Sequence, residues 1–426
     1  ALAAAVLLPP AQAAAAPEPL QPCRLRGVEH DAQCGVVKRP LDPARPDGLT
    51  IDVHFAVLPA LARNKHPDPL IFLAGGPVQS AMDLAGPMSR LFGRVANRRD
   101  IVLVDQRGTG RSAPLVCDAP APTRPLRELA SMAVQRTMLA ECLTKLQALP
   151  HGDLRQYTTT IAMSDLDAVR ARLGAERINV VGGSYGTRAA LEYLRLHPER
   201  VRRMVIDGVA PPDMVLPASF STDAQAAFDA LLARCSAQPA CHARHPALRD
   251  RWEALRASLP REVSVPHPVT GVTETLTVTP EMLATMVRAP LYVPRLASVL
   301  PEAIERAARG DFAPLFGLVS AMSGPRSAMD VAAGMHFSVV CAEDVPRLPQ
   351  AADKPGRDFG EAFADLYRRT CERWPRGEVP AGFYTMPTSS APVLVLSGGL
   401  DPVTPPRHGE RAAQALGPMA RHVVVD

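Results

Sequence analysis

The stretch Arg177–Glu192, RINVVGGSYGTRAALE, constrains this chain more than any other. Ile178-Asn179-Val180-Val181 is short, β-branched and apolar, and reads as a buried strand. Thr187 to Glu192 is rich in helix formers. Between them, Gly182-Gly183-Ser184-Tyr185-Gly186 matches G-x-S-x-G. A serine pushed out of a strand-to-helix turn needs glycines two before and two after it, because so sharp a turn leaves no room for Cβ atoms there. The helix N-terminus that follows favours developing negative charge. A glycine-rich turn with an idle serine would carry the same letters. The flanking strand and helix favour a nucleophile elbow, with Ser184 as the attacking group.

Further strands frame the elbow. Pro69 to Leu73 runs into Ala74-Gly75-Gly76-Pro77, and a glycine pair after a strand lets backbone N–H groups face open space, as an oxyanion site requires. Asp100 to Asp105 runs into Gln106-Arg107-Gly108-Thr109-Gly110-Arg111-Ser112, which lacks Gly-Lys-Ser/Thr and reads as a rigid loop beside the site rather than a phosphate cradle. Leu49 to Leu58 alternates as a strand with His54 inside it, and Val201 to Asp207 is another strand. Helices are expected over Leu126–Leu149, which carries Cys142, and from the hydroxyls at 157–160 to Arg172, with Asp165 and Asp167 as structural acids. Strand and helix alternate, the signature of a mostly parallel sheet with crossover helices.

The alternation breaks near Pro211. Residues 212–385 read as an inserted, mainly helical cap with Trp252 and Trp374 as packing aromatics. Residues 17–211 are then the first part of the core and 386–426 the second. Ala391 to Leu396 is a buried strand ending in SGGLDPVTP. An acid just past a strand end on a glycine-rich turn, here Asp401, stands where a triad carboxylate belongs; a turn or cap aspartate for the helix Pro406–Leu416 is the alternative. Arg421 to Val425 is the last strand.

A net charge of +4 and no basic run give no reason to propose a nucleic-acid partner. Ala1 to Ala16, ALAAAVLLPPAQAAAA, reads as a partial secretory signal with an A-x-A site at Ala11–Ala13, too short and proline-broken to span a bilayer. The expected compartment is therefore periplasmic or extracellular, with no stable membrane insertion. The 8 cysteines fall as chain neighbours, and export makes the in-order pairs Cys23–Cys34, Cys117–Cys142, Cys235–Cys241 and Cys341–Cys371 the simplest disulfide set. No C-x-x-C is present, which argues against zinc ribbons and thioredoxin chemistry; no metal or cofactor is implied. Residues 16–48 are proline-rich and expected to be irregular, stapled by Cys23–Cys34.

Together these pieces resemble α/β-hydrolase serine aminopeptidases of the proline iminopeptidase and secreted tripeptidyl aminopeptidase type. The stretches that carry the resemblance are AGGPVQSA (74–81), VDQRGTGRS (104–112), VVGGSYGTR (180–188), VVCAEDVPR in the cap with the later CERWP, and SGGLDPVTP (397–405), the last in a tripeptidyl-aminopeptidase-like C-terminal region. The resemblance implies an α/β-hydrolase fold, Ser184 as nucleophile, Asp401 as triad acid, and the N–H of Tyr185 with one near Gly76 as the oxyanion site. It also implies that cap acids, Glu343 first and Asp344 second, hold the free α-amine of a peptide substrate. Two departures stand out. Val78 replaces a glycine usual after GGP, which would crowd the oxyanion loop. The triad histidine belongs after the last strand, and neither His408 nor His422 stands there, so the base is expected beyond Asp426 and the chain is read as truncated at both ends.

The expected protein is an exported serine exopeptidase acting near free peptide N-termini. Ser184 excludes an aspartate nucleophile. A carboxylesterase or lipase on the same scaffold, and a non-catalytic binding protein that kept the elbow, are the rivals.

Overall fold

The computed structural model describes residues 19–77, 79–322 and 332–425. The signal-like stretch 1–16 and Val78 lie outside them. Among the described residues the strands are β1 (Gln21–Cys23), β2 (Ala32–Pro40), β3 (Thr50–Leu58), β4 (Leu70–Leu73), β5 (Ile101–Val104), β6 (Ile178–Gly183), β7 (Val201–Asp207), β8 (Arg261–Pro266), β9 (Thr273–Val278), β10 (Val393–Gly398) and β11 (Ala420–Val425). Nine form one sheet in the order β1-β2-β3-β5-β4-β6-β7-β10-β11, and β8-β9 make a separate hairpin.

From β5 to β11 every neighbouring pair is parallel, while β1, β2 and β3 join antiparallel at one edge. The central strands are short runs of large apolar residues: LIFL in β4 and IVLV in β5 are buried throughout. That is the composition of strands covered on both faces. Register brings the C-terminal ends of four strands together, with Leu73 opposite Gly182, Gly183 opposite Asp207, and Leu396 opposite Asp207. In sheets of this kind the carboxyl ends of the strands are where ligands bind.

The N-terminal region is not irregular as expected. β1 and β2 pair, β2 continues onto β3 over eight residues, and Cys23–Cys34 ties the two. Pro22 within β1 and Pro40 at the end of β2 are tolerated because they stand at the sheet edge and at a strand terminus.

Three buried clusters hold the molecule together. One face of the sheet packs against the helices Thr159–Arg172 and Tyr185–Leu196, and Met335, Phe337, Cys341, Cys371 and Trp374 join that same cluster. The other face carries Ala56, Phe72, Met82 and Leu103. The third core belongs to the insertion: Phe228, Trp252, Val278, Leu283, Ile304 and Phe312. The block between the two core segments is thus divided in its packing. Residues near 224–318 form their own core, whereas the helices Ala333–Glu343 and Ala362–Cys371 attach to the core of the sheet. All four disulfides have the in-order pairing. Among the described residues no helix is long and apolar enough to cross a membrane.

Candidate active site

β6 ends on Gly183 and delivers Ser184 with φ 54° and ψ −122°. A non-glycine residue at positive φ is strained and persists only where its surroundings fix it. They do so here. The Ser184 N–H donates to the carbonyl of Asp207 at 2.9 Å, and the Ser184 carbonyl accepts from Thr187 N at 2.9 Å and Thr187 Oγ1 at 2.6 Å. The outer glycines of the motif supply space. A Cβ on Gly182 would lie 2.3 Å from Gly186 O, and one on Gly186 would lie 2.1 Å from Leu73 O. Ser184 is exposed, and its hydroxyl has no hydrogen-bond partner among the described residues.

The loop after β4 lies directly over the elbow: a Cβ on Gly75 would lie 3.3 Å from Ser184 Cβ. Gly76 follows with φ +120°, a conformation that requires glycine. One support of this loop was not visible in the sequence. The Gly76 backbone hydrogen-bonds His336, whose Nε2 lies 2.7 Å from Tyr367 Oη. Burial among Phe337 and Tyr367 pushes the His336 pKa down to about 4, so the ring is neutral at ordinary pH. The 106–112 loop is tied down by hydrogen bonds from both of its flanks. Asp105 accepts from Ser80 Oγ at 2.7 Å, Met82 N and Arg111 N, joining this loop to the segment after Gly76. Arg107 is fully buried and forked onto Asp165, so it offers no free cation for a phosphate.

Asp401 sits on the turn after β10. Its Oδ1 accepts from Val403 N and Thr404 N, both at 2.9 Å, and its Oδ2 from Thr404 Oγ1 at 2.8 Å. Beside it, at the end of β7, stands Asp207, which in the sequence is no more than the last residue of a strand. Its carboxyl pKa is raised by burial and by the neighbouring charge of Asp401. Gly75, Gln79, Ser184, Asp207 and Asp401 line one cavity of about 1150 Å³, roofed by residues of the insertion.

Two expected partners of this cavity lie elsewhere. Glu343 and Asp344 do not line it. Both carboxylates of this pair are buried around Arg188 on the helix Tyr185–Leu196: Asp344 takes the guanidinium at 2.9 and 3.1 Å, and Glu343 lies 3.8 Å from it. Glu343 accepts from Thr159 N at 2.7 Å and Thr159 Oγ1 at 3.0 Å, and that hydroxyl is 2.7 Å from Tyr185 Oη. Burial is the largest influence on Glu343 and raises its pKa to about 7. A buried arginine needs compensating charge, and these acids supply it. Among the histidines, His408 Nε2 contacts Asp223 at 2.9 Å and His422 Nε2 contacts Ser397 Oγ at 3.0 Å, so neither is turned to Ser184.

An elbow serine at positive φ, a glycine loop laid over it and an acid past a later strand define the α/β-hydrolase class. A profile of the alpha/beta hydrolase fold family matches residues 68–426, and the chain belongs to that family. The chain is 32% identical over 165 residues to the tripeptidyl aminopeptidase of Streptomyces lividans, covering 35% of this chain and 30% of that protein. It is 30% identical over 209 residues to the serine protease Hip1 of Mycobacterium bovis, covering 45% and 39%. It is also 30% identical over 161 residues to the proline iminopeptidase of Xylella fastidiosa, covering 38% of each. The matched stretches span about a third of these relatives' own lengths.

Proposed function

We propose that this hydrolase is an exported serine exopeptidase that cleaves peptides near a free N-terminus by acyl-enzyme chemistry. The observation that carries the reading is the junction of Ser184, held at φ 54°, with the Gly75-Gly76 loop and Asp401 around one cavity. In this reading Ser184 Oγ attacks the carbonyl carbon. The N–H groups of Tyr185 and of the loop at Gly76 receive the oxyanion. A histidine base takes the serine proton and returns it to the leaving amine, oriented by Asp401. Relatives named as aminopeptidases support peptides as substrates, and the four disulfides support an oxidising compartment.

Recognition of a chain end needs a carboxylate for the ammonium group. Glu343 and Asp344 are the acids the resemblance points to. In the structure they are engaged by Thr159 and Arg188, and the reading therefore places the ammonium at Asp207, which lines the cavity. The test uses the full-length natural protein on paired peptides, N-terminally open and N-acetylated, with neutral aryl esters alongside. Open peptides should be cleaved and acetylated ones refused, and Ser184→Ala should abolish cleavage by about 10⁴-fold or more without loss of folding. Equal rates on open and blocked peptides, or ester hydrolysis alone, would transfer the protein to the esterases.

A further inference from the structure

The cavity over Ser184 has acids on its sheet side and arginines on its cap side. Arg234 stands in the last turn of the helix Leu216–Ala237, and Arg244 ends the short helix Pro239–Arg244. Both line the cavity that holds Ser184. Between them the Cys235–Cys241 disulfide spans a separation of 6 residues and joins the two helices, and both cysteines line the cavity too. The two arginines are therefore set on a short cross-linked frame, not on a free loop.

Both arginines are exposed, and neither is in an ion pair among the described residues; Arg244 only donates Nε to the carbonyl of Ala240. Other arginines of the insertion divide: Arg288 and Arg347 are held over aromatic rings without an ion pair among the described residues, while others are paired with carboxylates. Arg256 pairs with Asp358 at 2.7 Å, and Arg249 pairs with Asp358 and Asp229. A last-turn arginine can serve its own helix by meeting the terminal carbonyls. That role does not require two of them on the wall of one cavity, each without a carboxylate.

We propose that Arg234 and Arg244 form a carboxylate subsite in this cavity. The subsite selects substrates that carry an anionic group on the side of the scissile bond away from the free amine. The inference rests on the peptidase reading above. A guanidinium presents paired donors matched to a carboxylate, and unpaired cations at a cavity wall also draw anionic substrates in from solution. The carboxylate comes either from the peptide's C-terminus or from an acidic side chain. With Asp207 on the sheet side, the cavity is dipolar and suits a short zwitterionic peptide.

The full-length protein is assayed on peptides of one sequence that differ only in a free or amidated C-terminus, and on a second set with glutamate or glutamine after the cleaved bond. At low salt the carboxylate-bearing member of a set should have a kcat/KM roughly three- to tenfold higher, carried by KM, and high salt should erase the difference. A preference in the first set alone identifies the C-terminus, and in the second alone the side chain. The double variant Arg234→Gln, Arg244→Gln should lose the preference with kcat intact, and Arg234→Lys, Arg244→Lys should keep part of it. A wild type indifferent to the carboxylate overturns the proposal. So does a double variant that keeps the preference, or one that loses kcat and thermal stability with no change in the KM ratio. If no peptide is cleaved, the peptidase reading fails separately. The subsite is then judged on aryl esters of succinate and butyrate, where a wild-type preference for succinate that the double variant lacks supports it and equal rates overturn it.

Discussion

Replacing Glu343 with Gln should make the protein's stability less dependent on pH, by an amount the structure allows us to work out. Glu343 is 1% exposed, and burial raises its pKa from 4.5 to about 7. The folded state therefore binds this proton more tightly than the unfolded chain does. The contribution is fully present below the unfolded value near 4.5 and is lost as the pH rises through about 7. Each pK unit is worth about 1.36 kcal/mol, so the wild type should lose about 3 kcal/mol across this window. Glutamine keeps an oxygen for Thr159 N and removes the ionisation, while Arg188 retains Asp344. The assay is urea unfolding of the disulfide-intact protein, wild type and variant, from acid to mildly alkaline pH. Other groups titrate over the same range, so the quantity to read is the difference between the two proteins. The variant should gain on the wild type as the pH rises through the window. Parallel curves would refute the reasoning and mean that Arg188 and Thr159 hold Glu343 ionised in the folded state.

Two further outcomes follow from the packing. Gly186→Ala would bring a Cβ to 2.1 Å from the carbonyl oxygen of Leu73, so it should forfeit several kcal/mol or fail to accumulate; a thermal midpoint equal to wild type would show that the elbow is looser than described. Exchanging Cys341 and Cys371 together for serine opens a link across 30 residues and should cost about 3–4 kcal/mol, measured by the urea midpoint against the oxidised parent.

What was legible in the sequence is what the backbone decides locally. The glycines at 182 and 186 mark a place where chain segments approach too closely for Cβ, and that signal depends on no distant partner. The runs at 70–73 and 101–104 are apolar without alternation because both faces of the sheet are covered. What was not legible is which buried charges meet. Arg188 and Asp344 are 156 residues apart, and nothing near either one names the other. Seen alone, Glu343-Asp344 in a cap reads equally well as a pair of ligand acids. His336 gives no local signal either, since its partner is the Gly76 backbone, reached only when the helix Ala333–Glu343 packs beside the β4 loop. The edge strands β1 and β2 escaped because their pairing depends on β3, while their own prolines argue for a loop.

The two acids at the carboxyl ends of β7 and β10 show how much a local signature leaves undecided. Asp207 and Asp401 each follow an apolar strand and each adjoin a turn, so position alone qualifies either as the triad acid. Their hydrogen bonds differ, and the proposed roles follow that difference. Asp401 receives two backbone N–H groups and the Thr404 hydroxyl, a preorganised cradle for a carboxylate that must stay in place beside an imidazolium. Among the described residues the Asp207 carboxyl has the Gly208 backbone as its donor, and its proton affinity is raised by partial burial and by Asp401. A carboxyl so weakly held suits a cation that arrives with the substrate. In the full-length protein Asp401→Asn should therefore lower kcat by about 10⁴-fold at little changed KM, as loss of a triad acid does. Asp207→Asn should instead raise KM for open peptides roughly three- to tenfold, narrow the gap between open and acetylated substrates, and leave neutral ester hydrolysis near wild type. An Asp207→Asn variant with collapsed kcat on every substrate, beside a nearly active Asp401→Asn, would reverse the two roles and place the triad acid at the end of β7.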